Sequence, residues 1–129
     1  MPIADTSFIV DLMRRDPGAL ARYEEFEQAG IALQTTAVTA LELYKGAFCS
    51  GTEENRTKVA SLLELFTVLP VDDTVFETFG RLSAALAQNG TAIGDFDEVI
   101  AVIALRYDGE IITRDRHFLK VPGLKVIPY

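Results

Sequence analysis

One cysteine and one histidine stand among the 129 residues, and these two scarcities remove several chemistries at once. A single thiol, Cys49, closes no internal disulfide and builds no zinc cluster, which is the cysteine usage expected of a cytoplasmic protein. His117 alone leaves no second imidazole for a histidine-built metal site, and it makes a Ser/His/Asp triad a poor fit. Glycine and proline are few, 9 and 5, and no segment reads as a linker or a low-complexity run. Long apolar runs are missing too. Stretches such as Ile100 to Leu105 fall far short of the roughly 20 residues of a membrane helix, and the opening residues carry Asp5 with no basic region. What is present, 49% apolar and 24% charged residues, describes one globular domain over 1–129 with a core to bury.

Basic charge is also in short supply. Nineteen acids against twelve bases leave a net charge of -7, which taken whole argues against a nucleic-acid partner, because phosphate backbones are met by Lys and Arg. The excess is uneven, however. Residues 1–105 hold seven bases and sixteen acids (net -9), while 106–129 hold five bases and three acids (net +2). A bulk figure of that kind can conceal a local site.

Apolar segments and breakers alternate along the chain. Pro2 to Ala4 reads as a very short strand ending on Asp5-Thr6-Ser7, followed by a helical stripe of Phe8, Ile9, Leu12 and Met13. A second helix starts at Pro17 and stops near Gly30; Ile31 to Gln34 reads as a buried strand. Helices are expected from Thr39 to about Phe48 and over Glu53 to Phe66, a third strand over Thr67 to Val71, and a long helix from Thr74 to Gln88. Gly94 to Tyr107 is the most apolar helix, expected to be buried on most sides; Glu110 to Thr113 and Leu124 to Ile127 complete five strands. Short apolar strands alternating with helices predict an α/β sandwich on a mainly parallel sheet, with chemistry at the carboxyl ends of the strands.

Four chain-distant acids fall where such a sheet would gather them. Asp5 follows strand one, Asp115 closely follows strand four, and Glu42 and Asp97 lie in the first turns of two helices. Each has a local alternative. Asp5 suits a helix N-cap, and Glu42 completes a Thr39-Ala40-Leu41-Glu42 capping box. Asp95 and Glu98 form another such box, which leaves Asp97 without a capping task and makes it the sharpest candidate of its segment. Asp115 in Thr113-Arg114-Asp115-Arg116 suits a turn paired with its flanking arginines. Taken jointly, gathered carboxylates destabilise a fold unless a cation joins them, and oxygen-only ligands select Mg²⁺ or Mn²⁺. With no catalytic histidine and no phosphate-binding glycine loop, metal-assisted hydrolysis is the chemistry that this acid set leaves.

The segments Met1-Pro-Ile-Ala-Asp5-Thr-Ser, Thr39-Ala-Leu-Glu42-Leu, Ile93-Gly-Asp-Phe-Asp97-Glu-Val-Ile-Ala101 and Ile112-Thr-Arg-Asp115-Arg-His-Phe118, closing on Val121-Pro-Gly-Leu-Lys-Val126, resemble a PIN-domain ribonuclease of the VapC toxin type. The resemblance spans essentially the whole chain, in order. It implies a PIN-like three-layer sandwich with a five-stranded parallel sheet, a homodimer, and a pocket of Asp5, Glu42, Asp97 and Asp115 holding Mg²⁺ or Mn²⁺, with Asp95 as a further candidate ligand. It implies cleavage of RNA, commonly tRNA or rRNA, that arrests translation, and silencing by a VapB antitoxin whose C-terminal segment lies over the site. It leaves open a hetero-octamer with that antitoxin. Thr6 and Thr113 match positions that support the metal or its waters.

Arg114, Arg116 and Lys120, with His117 beside them, are the candidates for RNA backbone contacts; ordinary surface charge is the other reading. Tyr44 and the Leu41/Leu43 face suit a dimer or antitoxin surface, with core packing the stronger reading for the leucines. The competing class is a non-catalytic α/β interaction module whose acids are only caps. A receiver domain fits poorly, because only Asp5 follows strand one, and a haloacid-dehalogenase-like phosphatase fits poorly because position 7 is Ser.

Overall fold

Two residues suffice for the central strand. In the computed structural model, which describes residues 1–129, β1 is Ile3–Ala4, fully buried between neighbours on both sides. It is followed by α1 (Thr6–Met13), α2 (Pro17–Gln28), β2 (Gln34–Thr36), α3 (Ala37–Ser50), α4 (Glu53–Leu63) and β3 (Thr67–Leu69). The second half contains α5 (Phe76–Gln88), α6 (Asp95–Arg106), β4 (Glu110–Ile112) and β5 (Lys125–Ile127), with short 3-10 turns at Asp73–Val75 and Arg116–Lys120. All four strand pairings are parallel and the order is β3-β2-β1-β4-β5, so this is the expected five-stranded α/β sandwich.

The period-two alternation of a strand divides the core between two layers of helices. Ala4 and Ile112, paired across β1 and β4, point into a cluster with Phe8, Ile9 and Leu12 of α1, Leu43 and Ala47 of α3 and Val59 of α4. Ile3 and Ile111 point the other way, onto Val102–Ala104 and Ile100–Ala101 of α6 respectively. α6 is buried over five consecutive apolar residues, Ile100 to Ala104, as its composition predicts. No helix is long and apolar enough to cross a membrane.

Several boundaries differ from the sequence expectation, each for a physical reason. β2 is Gln34–Thr36 rather than Ile31 to Gln34. Ile31 is largely exposed, while Thr35 and Thr36 are wholly buried, the Thr35 hydroxyl donating to the Ala4 carbonyl at 2.8 Å. A buried strand made of Gln and Thr carries no apolar signature. α3 begins two residues earlier than expected because Thr36 is its N-cap, accepting from the Thr39 backbone N–H at 3.1 Å. The Thr39–Glu42 capping box therefore does not form, and Glu42 sits in the second turn. At α6 the N-cap is Gly94 (φ 107°), with no side-chain cap, and Asp95 is the first helical residue. Glu98 instead reaches back to accept from the Ile93 backbone N–H at 3.1 Å. The long helix expected from Thr74 is divided into the 3-10 turn capped by Asp72 and α5, and α4 and β3 stop at Leu63 and Leu69. On α3 Leu43 is core while Leu41 is 65% exposed, so the two leucines do not share a face.

Candidate active site at the centre of the sheet

The strand order reverses direction at β1, so a crevice opens beyond the carboxyl ends of β1 and its neighbours β2 and β4. Asp5 lies at the end of β1, Thr36 and Thr39 at the end of β2, and Thr113 and Asp115 at the end of β4. The crevice is lined by carboxylates and hydroxyls from segments more than 100 residues apart.

Asp5 is the helix cap that its position suggested. It caps α1, its Oδ1 accepting from the Phe8 backbone N–H at 2.9 Å and from the Ser7 hydroxyl at 2.7 Å. Its other oxygen accepts from the Thr113 hydroxyl at 2.5 Å. At 3% exposure the burial outweighs these bonds and pushes the carboxyl up to about 6; the charge of Asp115 adds to the rise. Asp97, the third residue of α6, is half-buried and also pushed up to about 6, first by desolvation and then by the charges of Asp115, Glu42 and Asp5, with His117 opposing. Asp97 thus senses the other three acids together. Asp97 is the one acid on which the other three act.

Hydroxyls hold the set in place. Thr6 donates to Glu42 at 2.8 Å and contacts the Thr39 hydroxyl at 3.2 Å; Thr113 accepts from the Asp115 backbone N–H at 2.9 Å while donating to Asp5. Asp115 caps the second 3-10 turn, and its Oδ1 pairs with His117 Nδ1 at 2.8 Å rather than with the arginines that flank it. Asp95 is exposed and is not among the charges that act on Asp97. No three of these side chains close into a ready-made metal cage.

Two cavities flank the acids. On the Asp115 side, Ser7, Arg114, Asp115, Arg116, His117 and Lys120 enclose about 620 Å³ with no apolar residue. The turn Arg116–Lys120 explains this composition: Phe118 is driven fully into the core, which presents its cationic neighbours to solvent. On the Glu42 side lies a space of about 370 Å³ reached by Thr6, Met13, Arg14 and Lys58. It shares Met13 and Lys58 with a larger, apolar-lined groove of about 720 Å³ between α1, α2 and α4, where Leu12, Leu62 and Leu65 are exposed to different degrees.

Sequence reasoning missed four residues here. Ser7 bridges Asp5, Thr113 (3.2 Å) and the Arg114 backbone N–H (3.3 Å); its place in Asp5-Thr6-Ser7 was the available signal. Thr39 passed for a cap. Asp11 and Tyr129 gave no signal, yet Asp11 Oδ2 binds Arg114 Nε at 2.7 Å and accepts from the Tyr129 hydroxyl at 2.6 Å. Asp11 holds the Arg114 pKa above its ordinary value, and burial followed by the bond to Asp11 raises that of the Tyr129 phenol.

Residues 3–124 match the family described as PIN domain. The chain is 30% identical over 124 residues to ribonuclease VapC2 of Haemophilus influenzae, covering 94% of this chain and 92% of that protein. It is 27% identical over 124 residues to the tRNA(fMet)-specific endonuclease VapC of Salmonella typhimurium, covering 95% and 92%. Among solved structures, VapBC-1 from nontypeable Haemophilus influenzae superposes with a TM-score of 0.83 at 27% identity, covering 98% of this chain and 96% of that one.

Proposed function

From the premise that the chain belongs to the PIN domain family, in its VapC-type branch, we propose that it is the toxin of a type II toxin–antitoxin pair, a single PIN domain over residues 1–129 that hydrolyses RNA phosphodiester bonds with a divalent metal. The observation that carries the reading is the cost of charge in the pocket: Asp5 and Asp97 are both pushed up to about 6, first by burial, then by Asp115 at Asp5 and by Asp115, Glu42 and Asp5 at Asp97. Such a set suits a hard divalent cation, because Mg²⁺ or Mn²⁺ accepts only oxygen ligands, takes one or two carboxylates directly and keeps several waters. An open set serves that purpose better than a closed cage.

Asp5, Glu42 and Asp97 are the residues that would hold the ion, with Asp115 completing the site or supporting a second one. Bound there, a divalent cation supplies the charge that makes a water acidic enough to attack phosphorus and that offsets the negative charge of the scissile phosphate. The chain's own hydroxyls do the positioning. Thr6 fixes the Glu42 oxygen and Thr113 fixes Asp5, so neither carboxylate has to reorganise when the pocket fills. Asp95, exposed at the lip of α6, is at most an anchor for an outer water. Arg114, Arg116 and Lys120 line the adjoining polar cavity and meet the RNA backbone. Substrates in the tRNA and rRNA class are what the resemblance implies, and the Salmonella relative is a tRNA(fMet)-specific endonuclease.

The partner is a VapB-type antitoxin, as in the VapBC complexes that share the fold. The apolar groove between α1, α2 and α4 is its seat, because the groove runs through Met13 and Lys58 into the space beside Glu42 and leads a bound segment to the acids. A basic side chain at the end of that segment would neutralise the pocket as a cation does. For the homodimer that the resemblance implies, α3 offers an exposed stripe of Leu41, Tyr44 and Phe48.

Cleavage of a defined RNA in Mg²⁺ or Mn²⁺, with end analysis of the products, tests the reading. Water attack leaves a 5′-phosphate and a 3′-hydroxyl; a 2′,3′-cyclic phosphate means that the ribose hydroxyl attacked and overturns the mechanism. Absence of metal-dependent cleavage, or cleavage that persists in Asp97→Asn, favours the non-catalytic module.

A further inference from the structure

Asp11 is the only charged residue of α1 and is 8% exposed, yet nothing in the proposed reaction uses it. A carboxylate buried beside Leu12 and the core is costly unless it is fully paired, and a leucine there would extend the apolar stripe at lower cost. Its pairing is specific. Oδ2 takes the Nε of Arg114, 103 positions away in sequence, at 2.7 Å and the hydroxyl of Tyr129 at 2.6 Å. Tyr129 is in turn fixed by an edge-on contact with Phe8, ring centroids 4.9 Å apart.

Arg114 is therefore tied at both ends. Its backbone N–H donates to Ser7, the hydroxyl that also donates to Asp5, and it sits between Thr113 and Asp115, which belong to the acid pocket. A guanidinium ion-paired on its Nε side still has two terminal nitrogens to offer, the edge that recognises a phosphate. Arg114 lines the 620 Å³ cavity with Arg116, His117 and Lys120, no hydrophobic residue lines it, and Asp115 is its one acid.

We propose that Asp11 is a positioning residue: with Tyr129 locking the same oxygen, it holds the free edge of Arg114 over the cationic cavity, where the phosphate next to the scissile one binds. This rests on the ribonuclease reading above. An arginine loose in solvent loses several rotamers on binding RNA, and one already anchored loses fewer, so the anchor improves substrate binding without touching the reacting atoms. Asp11 itself is not among the residues that line the cavity.

The test uses the full chain, a labelled single-stranded RNA that the wild type cleaves, and kcat and KM measured across a salt series. Arg114→Gln should raise KM by about tenfold and flatten the slope of log KM against log salt by about 0.7, the loss of one phosphate contact. Asp11→Asn should raise KM by roughly three- to tenfold, flatten the slope in the same direction, leave kcat within about twofold, and have no further effect in the Arg114→Gln background. Tyr129→Phe should shift KM the same way by less. If Asp11→Asn leaves KM and the salt slope unchanged, tightens binding, or costs the same factor with and without Arg114, the positioning role is overturned. Should Asp11→Asn fail to fold by thermal melt, Tyr129→Phe decides, an unchanged KM overturning the proposal. A wild type that cleaves no RNA in divalent metal sinks the ribonuclease reading, and this inference with it.

Discussion

Replacing Asp97 with Asn should make the metal-free protein more stable while it abolishes cleavage. In the fold this carboxyl is pushed from 3.8 up to about 6 by desolvation and by the charges of Asp115, Glu42 and Asp5. At about 1.36 kcal/mol per unit the two-unit rise corresponds to a ceiling of about 3 kcal/mol of destabilisation at neutral pH. Asp97 is half-exposed, and solvent screening reduces that to about 1–2 kcal/mol. Its place in the first turn of α6 returns about 0.5 kcal/mol through the helix dipole, which Asn forfeits. A net gain near 1 kcal/mol remains, equivalent to about 4 °C in Tm for a chain of this size.

The sign of the pH dependence follows from linkage. With a folded pKa above the unfolded one, the native state binds more protons between about pH 4 and 6, so wild-type stability falls as pH rises through that window and stays lower above it. Asn does not titrate there. Thermal melts in chelator should therefore show the variant and the wild type nearly equal near pH 4 and separated by the full difference above about pH 6.5. With a divalent cation in place of chelator, the wild type gains by mass action and the gap narrows or inverts. A variant no more stable than wild type at neutral pH in chelator, or a gap of equal size near pH 4, would refute the idea that burial and the neighbouring acids make the Asp97 charge costly in the metal-free fold.

Other consequences are open to measurement. Mg²⁺ or Mn²⁺ at about 100 times its Kd should stabilise the wild type by about 2.7 kcal/mol, a rise in Tm that vanishes with chelator and is strongly reduced in Asp97→Asn. Thr113→Val removes the donor to buried Asp5 and the acceptor for the Asp115 backbone, and it should cost about 1–3 kcal/mol in denaturant titration, with activity lost; Thr113→Ser should restore most of both. Leu65→Glu, at a half-exposed position on the apolar groove, should leave Tm and RNA cleavage unchanged while weakening inhibition by the antitoxin; unchanged inhibition would place the partner elsewhere.

Much of the architecture was legible because it is written in local pattern. The Phe8-Ile9-Leu12-Met13 stripe, Pro17 at a helix start and the apolar run of α6 each carry their own period, and the element order follows from them. The exceptions share a cause. Gln34-Thr35-Thr36 is a buried strand with no apolar signature, and the Thr35 hydroxyl finds its partner in the Ala4 carbonyl of a neighbouring strand that is distant in sequence. Glu42 passed for a capping residue until Thr36 proved to hold the cap, and Asp95 lost its capping role to Gly94. A capping assignment depends on one backbone torsion, and neighbouring residues of similar chemistry compete for it.

The sequence by itself showed the order of strands and helices along the chain and the four acids at segment ends. Only the tertiary structure decided what those acids do to one another. The rise of Asp5 and Asp97 is a sum over charges and burial contributed by four separate segments. The grip of Asp11 on Arg114 joins positions 103 residues apart, and which hydroxyl holds which carboxylate depends on the parallel register Ala4↔Ile112 that brings β4 beside β1. Periodicity is a property of neighbours along the chain. Electric fields and desolvation belong to neighbours in space, and no local pattern encodes them.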